Sequence, residues 1–151
     1  MQHRTYPLFR LGDRGNVAIE FAVLAPILLA LMTGAWDFGN CFIQSERLAS
    51  AARAGAQYGI QTAAHATDFD GMVQAARDNA SDADNALGVS ASQVCFCPDG
   101  TSVACTGNCP GVPAPGYYAK LVVTEDYTTL FSYPFVTNPI SLSTQILMRQ
   151  Q

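Results

Sequence analysis

The chain has 151 residues, enough for one domain, and a formal net charge of −4 at neutral pH. Most of its acidic residues follow Trp36, in a part of the chain with few bases. This charge balance excludes nucleic acid as a partner of that part.

Residues 1–15 form a short basic segment that is too brief to fold alone and has the composition of a targeting leader. Its bases are Arg4, Arg10 and Arg14, whereas Asp37 follows the next apolar segment directly. Positive charge marks the cytosolic flank of a membrane span. We therefore expect a cytosolic leader that is removed, and an extracytoplasmic domain over residues 37–151.

The apolar run from Val17 to Trp36 has only Glu20 and Thr33 as clearly polar members. About 20 helical residues cover roughly 30 Å, the thickness of the hydrocarbon core. A buried core helix is the alternative, but small soluble domains rarely hide such a helix on all faces. The sequence thus predicts a single-pass transmembrane helix over residues 16–36, in contact with membrane lipid.

Two local features modify this prediction. Thr33-Gly34-Ala35 is compatible with a secretory cleavage site, although the apolar run is about twice the length of a signal-peptide core. Pro26 removes a backbone hydrogen bond to Ala22, so we expect a kink or local loosening there.

Glu20 is the most informative residue of the span. A charged side chain in the bilayer costs about 2.5 to 3.5 kcal/mol at mid-helix and less near the interface, so such a residue usually has a specific partner. We therefore expect Glu20 to meet a specific partner, whose identity this segment alone leaves open.

Beyond Asp37 an amphipathic pattern predicts that the helix continues to about residue 63. Cys41 lies within this pattern, where it is either a small buried residue or the site of an intermolecular bridge. The predicted apolar face consists of Phe38, Cys41, Phe42, Leu48, Ala49, Ala52, Ala56 and Ile60.

The remaining elements are shorter. Thr67 or Asp68 is predicted to cap a second helix that ends near Ala80. A weak strand is predicted at 89–94, followed by a cysteine loop over 95–116 without regular structure. Two further strands are predicted at 118–127 and 140–148, in a strand region of about 117–148. The expected fold class is α+β, a long N-terminal helix packed on a small antiparallel sheet with a disulfide-rich loop. Four residues between the last strands were expected to cover the helix and sheet: Leu130, Phe131, Tyr133 and Phe135.

The cysteine loop contains Cys95, Cys97, Cys105 and Cys109. Four thiolates can bind zinc, but only the second pair has the usual spacing, and disulfides persist outside the cytoplasm. A bridge within Cys95-x-Cys97 would be strained. We therefore expect both cysteines of this pair to bond to Cys105 and Cys109, in an order that the sequence leaves open.

No enzymatic activity, metal or cofactor is expected. The two histidines, His3 and His65, fall in the leader and at a helix end, and no Gly-x-Ser-x-Gly elbow or phosphate-binding glycine loop is present in the sequence. A metal-dependent enzyme that uses the cysteine loop would lack other ligands and a base.

The start of the chain combines a basic leader, Gly15, Glu20-Phe21-Ala22 and Pro26 in a span that ends near Trp36-Asp37-Phe38-Gly39. This pattern resembles the TadE-like family of tight-adherence pilus assembly proteins, which are pilin-like minor subunits. The resemblance is specific over 14–39 and continues more loosely through 51–56. The residues that follow have no identifying motif and are similar to a variable outer domain.

The resemblance implies that a membrane-embedded prepilin-type peptidase cuts between Gly15 and Asn16. Glu20 would then be the fifth residue of the mature chain, and Phe21 would stand where major pilins more often have tyrosine. The implied function is that of a minor pseudopilin for a tight-adherence, Flp-type pilus in the bacterial inner membrane, with other pilin-like subunits and the assembly machinery as partners. The resemblance leaves open whether the subunit is also incorporated in the filament. The alternative is a signal-anchored, disulfide-stabilised binding domain unrelated to pili.

Overall fold

The computed structural model describes residues 13–81, 87–112 and 114–150. Contacts divide the chain into two compact units, Met1–Phe38 and Gly39–Gln151. Most of the predicted leader lies outside the described residues. Helix α1, Asp13–Gly59, supplies the whole described part of the first unit and the first element of the second.

Helix α1 has 47 residues and is continuous through Pro26. At 1.5 Å per residue its length is about 70 Å. It ends at Gly59, four residues before the predicted end. Ile60 and Gln61 donate backbone hydrogen bonds to the carbonyls of Gln57 and Tyr58, at 3.3 Å each, and these tighter three-residue turns replace the α-helical pattern.

A 3₁₀ turn, His65–Thr67, leads into helix α2, Phe69–Ala80. Asp68 is the N-cap, because its Oδ1 accepts a hydrogen bond from the Gly71 N–H at 2.9 Å. Ser81 ends the helix in the left-handed conformation, with φ of 54°. The sequence had predicted both ends of this helix.

Four antiparallel strands form one sheet: β1, Gly88–Phe96; β2, Ser102–Val103; β3, Gly116–Tyr127; and β4, Ile140–Arg149. Their order is β2-β1-β3-β4. The prediction of a cysteine loop without regular structure is wrong at β2, where Phe96 pairs with Ser102 and Cys95 with Val103. A two-residue strand is too short to produce a periodic pattern in the sequence.

The core of the second unit lies between the helices and one face of the sheet. Alternate residues of β3, namely Ala119, Leu121 and Val123, are fully buried. Small residues on α1 let the helix backbone approach β3 closely, and a Cβ added at Gly55 would clash with Leu121 Cδ2. The core consists of Leu48, Ala51, Ala52, Ala56, Met72, Ala76, Ala80, Leu87, Ala119, Leu121 and Val123.

The expectation about apolar cover from the connection between β3 and β4 is wrong at two residues. Phe131 and Phe135, which the sequence predicts to cover the helix and the sheet, are 52% and 99% exposed. The core of the second unit therefore forms without these two side chains. On the predicted apolar face of α1, Phe42 is 60% exposed and Leu48 is buried, so only the later part of that face belongs to the core.

Candidate functional site

The first unit presents an apolar helix surface with one acidic side chain. The helix contains a stretch that is long and apolar enough to cross a membrane, with a mean hydropathy of 2.1, and none of that stretch is buried. A soluble core helix would bury such a surface, which makes that alternative a poor fit. The helix is compatible with a single-pass membrane anchor.

Glu20 and Phe21 lie on this surface. Both side chains are exposed, Phe21 by 66%, so Glu20 is accessible to a partner along the helix. Gly15 and Asn16 belong to the first turns of the same helix. Asn16 precedes Glu20 by four residues, about one helical turn, so the two positions lie on the same side of the helix.

Two disulfides connect the cysteines of the second unit. Cys95 bonds to Cys105 and Cys97 to Cys109, with Cα–Cα distances of 5.1 and 5.5 Å. This confirms that the Cys95-x-Cys97 pair bonds to the later pair, and it resolves the order. Cys41 is a free cysteine, partly buried on α1.

The first bridge stabilises the β1–β2 hairpin. Cys95 pairs with Val103 across the hairpin. Val103 lies two residues before Cys105, so the bridge forms close to the paired strands. The Tyr117 hydroxyl donates a hydrogen bond to the Cys105 carbonyl at 3.3 Å, which connects the hairpin to β3. The first bridge therefore holds β2, an edge strand of the sheet, close to β1.

A cluster of polar and aromatic side chains holds the turn between α1 and α2. The Tyr58 hydroxyl donates a hydrogen bond to Asp68 Oδ2 at 2.7 Å, and the Tyr58 ring stacks on His65 with centroids 4.2 Å apart. The hydrogen bonds from Tyr58 and from the Gly71 N–H hold the pKa of the Asp68 carboxyl below its ordinary value. The same bond raises the pKa of Tyr58. This cluster stabilises the turn, and it places no nucleophile beside a base.

Within the described residues, no group of three or more His, Cys, Asp or Glu side chains is arranged to hold a metal ion. A cavity of about 300 Å³ lies beside the end of α1, with Gly59, Gln61, Ala66 and Gln150 among its lining residues. Its lining has no acid or base, so it offers no acid–base chemistry.

Sequence reasoning missed one polar contact that orders the second unit. Arg47 donates from Nε and Nη2 to the Ala80 carbonyl, at 2.9 and 2.6 Å, and its Nη1 lies 4.0 Å from Glu125 Oε1. These partners are distant in sequence, so no local pattern indicates them.

No curated protein and no solved structure matches this chain. The model of the TadE-like protein family does match, over residues 15–57. The matched segment begins at Gly15, contains Glu20 and Pro26, and extends along α1 almost to its end at Gly59. The matched segment thus includes residues 15–39 of the specific resemblance over 14–39. It also includes the looser resemblance over 51–56.

This match suggests a protein associated with the Tad pilus and its assembly machinery, with an N-terminal helix like a membrane anchor. The family is not known for enzymatic activity. The resemblance seen in the Gly15 to Pro26 pattern is confirmed by this match, and the segment 15–57 of this chain is similar to TadE-like proteins.

Proposed function

We propose that this chain is a membrane-anchored, pilin-like minor subunit, a minor pseudopilin, that takes part in the assembly of a tight-adherence, Flp-type pilus. The observation that carries the proposal is the TadE-like match over a helix with an exposed apolar surface and an exposed glutamate. Residues 16–36 cross the bacterial inner membrane, with the N-terminus in the cytosol and residues 37–151 outside.

A prepilin-type peptidase removes residues 1–15 by cutting between Gly15 and Asn16. The cut creates an α-amine on Asn16, with an ordinary pKa of about 7.7 to 8.0, so much of it is protonated at neutral pH. Asn16 and Glu20 are one helical turn apart, so the new charge lies near the membrane depth of the glutamate. Processing therefore supplies a positive group near the membrane depth of Glu20.

Glu20 of one subunit pairs with the Asn16 amine of a neighbouring pilin-like subunit. Each charge alone in hydrocarbon is unfavourable, and the pair satisfies both. A helix shifted by one turn, about 5.4 Å, would separate the two groups. The pair thus sets the axial position of one subunit against the next, and Phe21 packs beside it.

The N-terminus of the mature protein tests the route to the membrane. Protein isolated from its native membrane is sequenced from its N-terminus. We expect Asn16 as the first residue. A chain that begins at Trp36 would instead support a secreted binding domain, and a retained Met1 would support a plain anchor, so either result contradicts the proposal.

The pairing is tested by Glu20→Gln, which removes the charge and keeps the shape of the side chain. We expect normal leader removal but a several-fold loss of assembled pili, measured in the sheared fraction. Val23→Leu is the matched control, because Val23 is 63% exposed on the same helix and the change keeps it apolar. Normal assembly by the Glu20→Gln protein would count against the pairing.

A further inference from the structure

The connection between β3 and β4, residues 128–139, presents an exposed apolar surface with no acidic or basic residue. Apolar surface that is exposed and contiguous in a folded domain commonly marks a contact with a partner or a membrane. Its four exposed apolar side chains, which we call the apolar loop surface, are Leu130, Phe131, Phe135 and Val136, at 66%, 52%, 99% and 46% exposure.

Hydrogen bonds hold this loop in its shape. The Thr129 N–H donates to Asn138 Oδ1 at 3.3 Å across the base, and the buried Thr129 hydroxyl donates to the Phe131 carbonyl at 2.7 Å. The Val136 N–H donates to the Tyr133 carbonyl at 3.2 Å, which closes a four-residue turn. Phe135 is the third residue of this turn. The fold therefore displays the Phe135 ring fully to its surroundings.

The loop lies at the end of the second unit where that unit begins, at Gly39. On α1, Gly55 faces Leu121, and Arg47 approaches Glu125 at 4.0 Å. Helix residues of lower number therefore lie beside strand residues of higher number. Gly39 is about 12 Å beyond Arg47 along the helix, and β3 continues about 7 Å beyond Glu125 before the loop starts, in the same direction.

The helix at this end of the second unit is also apolar and uncharged on its surface. Phe42 and Ile43 are 60% and 65% exposed, and residues 38–45 include no acid or base. The nearest charged residues along the helix are Asp37, which is buried, and Glu46. One end of the domain thus combines exposed aliphatic and aromatic side chains from two elements, and the exposed carboxylate of Asp126 lies at the end of β3, just before the loop.

We propose that the apolar loop surface inserts into the outer lipid interface of the membrane that anchors the chain. The inference rests on the membrane-anchor part of the proposed function. If the segment that ends at Phe38 spans the bilayer, the domain end that starts at Gly39 is within a few residues of the headgroups, by chain connectivity alone. Aromatic and aliphatic side chains without charges favour that interface, where apolar area is buried and backbone polar groups remain hydrated.

Depth-dependent quenching of tryptophan fluorescence tests the insertion, because Trp36 is the single tryptophan of the chain. The full chain is reconstituted in phosphatidylcholine vesicles with and without brominated acyl chains. The wild type reports on the anchor through Trp36, and the double variant Trp36→Phe/Phe135→Trp reports on the loop. The control is Trp36→Phe/Ser102→Trp, since Ser102 is exposed and pairs with Phe96 at the opposite end of the sheet from Tyr127.

We expect the Phe135→Trp probe to be quenched several-fold more strongly by brominated lipid than the Ser102→Trp probe, with blue-shifted emission. Equal, weak quenching of the two probes, together with strong quenching of Trp36, would overturn the insertion and leave the anchor intact. Absence of quenching at Trp36 would overturn the anchor and the insertion together.

Discussion

Arg47, in the C-terminal third of α1, donates two hydrogen bonds to the carbonyl of Ala80, the last residue of α2. The carbonyls of the last helical turn have no partner within the helix, and the helix dipole places partial negative charge there. The guanidinium satisfies one of these groups and neutralises that charge. It thereby fixes α2 against α1.

The substitution Arg47→Ala should therefore destabilise the second unit. We expect a loss of about 1 to 3 kcal/mol in the free energy of unfolding, the range for hydrogen bonds to charged groups. Chemical denaturation of the solubilised full chain measures it. Arg53→Ala is the control, because Arg53 is exposed on the same helix, and an equal effect of the two substitutions would refute the role of Arg47.

Gly55 should tolerate no side chain. A Cβ at this position would lie 2.5 Å from the Met72 carbonyl oxygen and would also clash with Leu121 Cδ2. We expect Gly55→Ala to cost about 1 to 3 kcal/mol by overpacking. Gly39→Ala makes the same chemical change on the same helix with no atom within 4 Å, so its helix propensity should stabilise by up to about 1 kcal/mol. Denaturation midpoints that shift in the same direction would contradict this difference.

The disulfide order predicts a specific chemical map. Partial reduction with stepwise alkylation should identify Cys95–Cys105 and Cys97–Cys109, and unreduced protein should accept one alkyl group, at Cys41. Replacement of Cys97 and Cys109 by serine should cost about 2 to 3 kcal/mol, since each bridge closes a short loop. A map that joins Cys95 to Cys109 would contradict the structure.

Asp68 should make stability depend on pH. Its folded-state pKa is held below the ordinary value, so its contribution is complete above about pH 4 and is lost as the pH falls through the lower folded value. Tyr58→Phe removes the first of the two hydrogen bonds and should raise the pKa of Asp68, measured by NMR of the carboxyl carbon. Tyr117→Phe, which removes a hydroxyl bonded to Cys105 instead, should leave that pKa unchanged.

Local patterns predicted most of the elements of the fold. Asp68 caps α2 as its residue type and position indicated, and the strands predicted at 118–127 and 140–148 correspond to β3 and β4. Predictions failed where a residue's surroundings depend on distant segments. Phe131 and Phe135 have core-type side chains, but they are exposed in the folded domain.

The sequence alone determined that the N-terminal helix is long and apolar enough to cross a membrane, and that Glu20 follows Gly15 by five residues. Length, hydropathy and spacing are properties of consecutive residues. The sequence also limited the disulfides to two arrangements. Tertiary structure decided between those arrangements, bonded Arg47 to Ala80, and left the β3–β4 loop uncovered. These outcomes join residues that are distant along the chain, and packing of the helices on the sheet brings such residues together.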